Sequence, residues 1–137
     1  MKTSNLIVFG LLLALLASSC SKTISFSSST IVPAATGQVK IKKDKNRNYG
    51  ITVDVLNLAE PKMLSPAREA YIVWMEAGRD PVKKLGQIYP SSGLFSKALK
   101  GRLNATSIEE PNVVFITAEN NTDVQYPSSD VILTTRR

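Results

Sequence analysis

The sequence predicts an all-β fold, two antiparallel sheets packed face to face with about seven short strands. Three observations lead there. Residues 71–75, Tyr-Ile-Val-Trp-Met, are apolar without a break and rich in β-branched and aromatic side chains, which suits a strand buried on both faces. Val39 and Ile41, and then Ile51, Val53 and Val55, alternate with polar residues, which suits strands with one wet face. No stretch of the domain carries the periodicity of a long amphipathic helix, and turn chemistry such as Gly78-Arg79-Asp80-Pro81 separates the apolar runs.

Taken in order, residues 37–45 form a half-buried strand with Val39 and Ile41 on one side and Lys40 and Lys42 on the other. Residues 46–50 turn, and 49–56 return. Residues 57–68 hold Pro61 and Pro66 and read as a long loop whose Leu58, Met63 and Leu64 need cover. Residues 70–76 and 82–88 are the central hairpin, and 89–93 turn again. Residues 94–100 are a strand of unsettled facing, because Phe95 and Leu99 share a side with Lys97. Residues 101–111 read as irregular, 112–119 as a strand apolar on both faces, 120–130 as a loop and 131–135 as the last strand. Seven short strands of this kind describe an immunoglobulin-like antiparallel β-sandwich, with a barrel of seven or eight strands as the alternative. The expected inner residues include Val39, Ile41, Ile51, Val53, Val55, Phe115 and Leu133.

Composition narrows the chemistry. The 137 residues suffice for one domain. There are 17 Lys and Arg against 11 Asp and Glu, a formal charge of +6, with no His and a single Cys. The absence of His removes Ser-His-Asp and Cys-His catalysis and, with one Cys, most zinc and iron sites. Glu109, Glu110 and the scattered Asp residues form no readable acid–base pair, and no cofactor motif stands out, so the chain reads as a non-enzyme with neither metal nor cofactor. Residues 119–123, Glu-Asn-Asn-Thr-Asp, offer oxygens for Ca²⁺ but lack the spacing of a calcium loop; a polar loop at the sandwich end is the plainer account.

The amino terminus reads as an address. Met1 to Asn5 carry one Lys, and the twelve residues from Leu6 to Ala17 are Leu, Ile, Val, Phe, Ala and one Gly. A stable membrane span needs about 20 apolar residues; twelve suit the core of a signal peptide. Ala17-Ser18-Ser19-Cys20 then resembles the lipobox of bacterial lipoproteins, with Ala at position 17 where Leu is commoner. That resemblance implies cleavage before Cys20 and acylation of its thiol and new amine, several chains together giving firm membrane attachment. An ordinary secreted protein cut near Ala17 is the alternative. The expected organisation is a signal peptide (1–19), a lipidated Cys20 with a flexible tether (20–36) and a sandwich domain (37–137). Eight of residues 21–36 are Ser or Thr, and such a chain spans roughly 20–24 Å, although Ile24, Phe26, Ile31 and Val32 are suited to docking. Ser21 after the Cys resembles the outer-membrane default of Gram-negative cells. Asn104-Ala105-Thr106 and Asn120-Asn121-Thr122 match the glycosylation triplet, which carries little meaning in a bacterium.

Tyr71, Val73 and Trp74, then Leu85-Gly86, residues 114–119, and Pro127-Ser128 leading into Val131-Ile132-Leu133 resemble the extracytoplasmic C-terminal domain of anti-sigma-K factors. The resemblance covers residues 37–135. It implies a sandwich held outside the membrane, here by lipid in place of the membrane-spanning helix that precedes such domains. It does not extend to the cytoplasmic sigma-binding segment of that family, so a regulatory role is not carried over with the fold.

Two surfaces stand out. Lys40, Lys42, Lys43, Lys45 and Arg47 put five cations in eight residues. They suit anionic headgroups or polysaccharide, or they guard an edge strand against sheet-to-sheet pairing. Nucleic acid is not expected, because no aromatic platform interleaves the cations. On the central strand, Tyr71, Val73 and Met75 form one side and Ile72 and Trp74 the other. With Phe115 facing inward, Val114 and Ile116 would join Ile72 and Trp74 in an outer apolar patch. The loop 57–68 is expected to fold over it and leave the Trp74 ring partly exposed; a dimer or partner contact is the sharper alternative, and Trp74 in the inter-sheet core, as in antibody domains, is another. The functional expectation is a lipid-anchored envelope protein with a protein-interaction or sensing role; a surface carbohydrate-binding module is the alternative.

Overall fold

The computed structural model describes residues 20–136. The nine strands are β1 (Ser21–Ser25), β2 (Thr36–Lys43), β3 (Tyr49–Leu56), β4 (Ala70–Glu76), β5 (Lys83–Ile88), β6 (Ser91–Gly93), β7 (Ser96–Ser107), β8 (Val113–Glu119) and β9 (Val131–Thr134). They form a five-stranded sheet, β1-β2-β3-β7-β6, and a four-stranded sheet, β5-β4-β8-β9. Every pairing is antiparallel. The expected all-β sandwich is what the chain forms.

The strands with one wet face behave as their alternation dictates. Val39, Ile41, Ile51, Val53 and Val55 point inward and are almost completely buried. They meet Tyr71, Val73 and Met75 of β4, Val114, Ile116 and Ala118 of β8, and Leu133 of β9 in one cluster. A short crossing and a backbone hydrogen bond join the sheets at their two sides. Only Tyr89 and Pro90 separate β5 from β6 in the other sheet. On the opposite side, the Ser27 N–H donates to the Thr134 carbonyl at 2.8 Å, which ties the end of β1 to β9. Residues 20–136 therefore contain both sheets and every core residue named above.

Several expectations change. The tether read over residues 20–36 is instead largely docked: residues 21–25 pair with β2 in register Ser21↔Lys42 through Ser25↔Gln38, and Ile24, Phe26 and Val32 pack on the core. Ile24 and Phe26, two residues apart, supply one apolar face, and sheet hydrogen bonds offset the entropy that a Ser/Thr-rich chain would otherwise keep. Residues 101–107 are strand and not irregular. There Gly101, Leu103 and Ala105 face inward, an apolar signal weakened by two small residues, while Arg102, Asn104 and Thr106 face out. With β6 added, the described residues hold nine strands.

The facing of β8 is the reverse of the expected one. Val114 and Ile116 lie in the inter-sheet core, and Phe115 lies on the other face beside Trp74. Hydrogen-bond register fixes this: Trp74 pairs with Phe115 and Ile72 with Thr117, and cross-strand partners share a face. The proposed patch of Ile72, Trp74, Val114 and Ile116 is therefore divided between two faces of the sheet, and all four residues are buried.

Candidate functional site

The outer face of the four-stranded sheet is a second, smaller core. Ala70, Ile72, Trp74 and Phe115 cluster there, with Val82, Val113 and Val124 against them. Trp74 is 0% exposed. Its cover includes the loop 120–130, not the loop 57–68, whose Leu58 and Leu64 pack instead on the main core. A chain of polar contacts holds the covering loop down. The Trp74 indole N–H donates to Thr117 Oγ1 at 2.8 Å, and that hydroxyl donates to Glu119 Oε1 at 2.6 Å. Ser128 then donates twice to the same carboxylate, from Oγ to Oε2 at 2.6 Å and from its N–H to Oε1 at 3.1 Å. Lys84 Nζ donates to the Thr122 carbonyl at 2.5 Å and to that of Val124 at 3.2 Å. Burial pushes the Glu119 carboxyl up, but the hydrogen bonds from Ser128, Thr117 and Ser129 outweigh it and hold the group below the usual carboxylate range.

This arrangement speaks against a cation in residues 119–123. Both Glu119 oxygens are taken, and Asn121 Oδ1 accepts from the Asp123 N–H at 2.8 Å. The Arg68 guanidinium lies 3.0 Å from Asn120 Oδ1 and 3.5 Å from Asp130. Among the described residues no group of three or more His, Cys, Asp or Glu is placed to hold a metal. Tyr71 is engaged in a similar way: its hydroxyl donates to the Ala59 carbonyl at 2.7 Å, and burial pushes its pKa up to about 12.

The five cations come together at one end of the five-stranded sheet. Lys40 and Lys42 project from its outer face, and Lys43, Lys45 and Arg47 surround the β2–β3 turn, all exposed. Their strand is not an edge: β2 lies between β1 and β3, so an edge-guarding role does not apply. Asp44, the one acid in the cluster, is occupied by the turn. Its Oδ1 accepts from the N–H groups of Asn46 and Asn48 at 2.7 and 2.8 Å, and Arg47 takes the positive φ of 66° that the turn needs. The Lys43 ammonium lies 5.3 Å from the centroid of the Tyr49 ring.

Cys20 sits at this same end. It is exposed and directly precedes β1, whose first residue pairs with Lys42. The thiol and the basic turn are thus neighbours in the fold, although 22 or more residues separate them in sequence. The signal-peptide reading of residues 1–19 lies outside the described residues.

No protein-family model, curated protein or solved structure matches this chain. The anti-sigma-K-like reading therefore rests on the sequence resemblance alone.

A further feature escaped the sequence. An open groove of about 630 Å³ crosses the other end of the five-stranded sheet, lined by Gln38, Asp54, Leu56, Tyr89, Lys100 and Arg102 among others. Arg102 and Asp54 are ion-paired across it. The pairings of β2 with β3 and of β3 with β7, together with the β5–β6 crossing, bring these residues together, so no local motif could signal the groove.

Proposed function

We propose that this chain is a non-catalytic, lipid-anchored protein of the bacterial cell envelope, on the outer membrane if the cell is Gram-negative. Its sandwich is held directly against the membrane and serves as a binding module for another envelope protein. One observation carries the anchoring: the exposed Cys20 stands one residue ahead of β1, beside the exposed cations of the β2–β3 turn. Acylation at that position leaves no free tether, so the basic turn meets the headgroups as a second, electrostatic attachment. Each cation near an anionic surface contributes about 1 kcal/mol. The non-catalytic part is supported by the lack of His and by the engagement of the buried carboxylate, Glu119, in holding a loop. The resemblance to anti-sigma-K extracytoplasmic domains supports an extracytoplasmic sandwich.

In cells, Cys20→Ser should shift the protein from the detergent to the aqueous phase on partitioning and remove the acyl mass. Unchanged partitioning and unchanged mass would overturn the anchor. A second reading, binding of envelope carbohydrate, is favoured by the groove, where the 68%-exposed Tyr89 ring adjoins Gln38, Lys100 and Arg102. On that reading, Tyr89→Ala abolishes retention on immobilised envelope polysaccharide. No retention of the parent protein discards it.

A further inference from the structure

Leu94 and Phe95 are 91% and 99% exposed, the most exposed large apolar side chains among the described residues. They form the tip of the β6–β7 hairpin, where Gly93 pairs with Ser96. An adjacent aliphatic and aromatic pair at the end of a projecting hairpin contributes nothing to either core. Such exposed apolar groups mark a contact.

Charge identifies the contact. Residues 91–102 carry Lys97, Lys100 and Arg102 and no acid. The same sign continues across the outer face of the five-stranded sheet, where Lys40 and Lys42 join Lys100 and Arg102. The one carboxylate among the outward positions of its strands, Asp54, is already paired with Arg102. The remaining outward positions are mostly Ser, Thr, Asn and Gln. An apolar tip followed along β7 by Lys97 and Lys100, on a face without free acid, matches the boundary between anionic headgroups and acyl chains.

We propose that the β6–β7 tip is a wedge that inserts into an anionic bilayer surface, with Leu94 and Phe95 entering the acyl boundary and Lys97 and Lys100 meeting the phosphates. The wedge does not need an acyl chain on Cys20. Only its consequence for orientation rests on the lipid-anchor reading. Twelve residues of β7 separate the tip from the Cys20 end, roughly 40 Å at the rise of an extended strand. Two anchors at opposite ends of one cationic face lay the sandwich along the membrane.

The test uses the chain from Cys20 onward with Cys20→Ser, which contains both sheets and both cores and carries no acyl chain. The probes are vesicles of phosphatidylcholine alone and of phosphatidylcholine with phosphatidylglycerol. Binding is expected only to the anionic vesicles. It should fall about tenfold or more in the double variant Leu94→Ser/Phe95→Ser, and to a similar extent in Lys97→Glu/Lys100→Glu, with melting unchanged in both. Phe95→Trp gives a direct reading, because Trp74 is sealed from quencher: its emission should be quenched by brominated acyl chains on anionic vesicles. No binding to anionic vesicles, or binding that survives Leu94→Ser/Phe95→Ser, overturns the wedge and reassigns the tip to a protein partner. A failure of acylation at Cys20 in cells would leave this result standing.

Discussion

Trp74→Ala should lower unfolding stability by about 3–5 kcal/mol, the range for truncating a fully buried aromatic. The ring is 0% exposed and packs with Ile72, Ala70 and Phe115 on the far side of the four-stranded sheet. Truncation leaves a cavity between this sheet and the loop 120–130, and it removes the N–H that donates to Thr117 Oγ1. Trp74→Phe should cost less, because it keeps most of the apolar volume and loses one hydrogen bond, at about 0.5–1.5 kcal/mol. Acrylamide should barely quench Trp74, the chain's one tryptophan, in the folded monomer. Denaturant melts with and without the substitution, beside a quenching titration, check both statements. Strong quenching in the folded protein would mean that the loop does not seal the ring.

What the sequence conveyed about this face depended on contrast between neighbours. On β2 and β3, Lys40, Lys42, Thr52 and Asp54 stand against Val39, Ile41, Ile51 and Val53, so period-two alternation declares the inner side. On β4 and β8 both sides are covered, and that contrast disappears. For β4, three apolar residues against two gave the correct inner set of Tyr71, Val73 and Met75. For β8, the choice of Phe115 as inner residue went the wrong way. Val114, Ile116 and Ala118 outnumber Val113 and Phe115, and the other set also holds Thr117 and Glu119, polar residues that the Trp74 N–H and the covering loop require. That pairing was readable in principle, since a buried indole needs an acceptor.

The candidate site was legible only in pieces. Cys20 and the run from Lys40 to Arg47 could be singled out because each is local in sequence. Their adjacency could not, because it arises when Ser21 pairs with Lys42, and residues 21–25 gave a compositional signal of tether that sheet pairing overrode. The Leu94–Phe95 tip was hidden for the opposite reason. Two apolar residues ahead of Lys97 look like the start of a strand, and only the shift in pairing between Ser92 and Gly93 leaves them outside it.

Glu119→Ala should destabilise the fold by about 2–4 kcal/mol. Hydrogen bonds to a charged group contribute about 1.5–3 kcal/mol each, and opening of the loop would return part of that loss by letting water reach Thr117 and Ser128. Trp74 should then become accessible to quencher at a denaturant concentration well below global unfolding, because the polar ties that hold Ser128 over it are gone. Glu119→Gln should cost less, about 1 kcal/mol: its carbonyl can still accept from Thr117 and the Ser128 N–H, and its amide can donate to Ser128 Oγ. The two variants also differ from the parent in pH dependence. Because the folded carboxyl sits below its ordinary value of 4.5, the folded state holds fewer protons than the unfolded one in the interval between those two values. The stabilisation is therefore complete above about pH 4.5 and is lost as pH falls through the folded value. Asp80 is another carboxyl held low, chiefly by the hydrogen bond from Lys83, but it lies in the exposed turn after β4, and salt screens its part. In high salt, the parent protein should thus lose stability below pH 4.5 more steeply than Glu119→Gln, while the two curves run parallel between pH 5 and 7. Parallel curves throughout would mean that the charged form of Glu119 gains nothing from Thr117 and Ser128, and that the Lys84 hydrogen bonds and apolar contact keep the loop closed over Trp74.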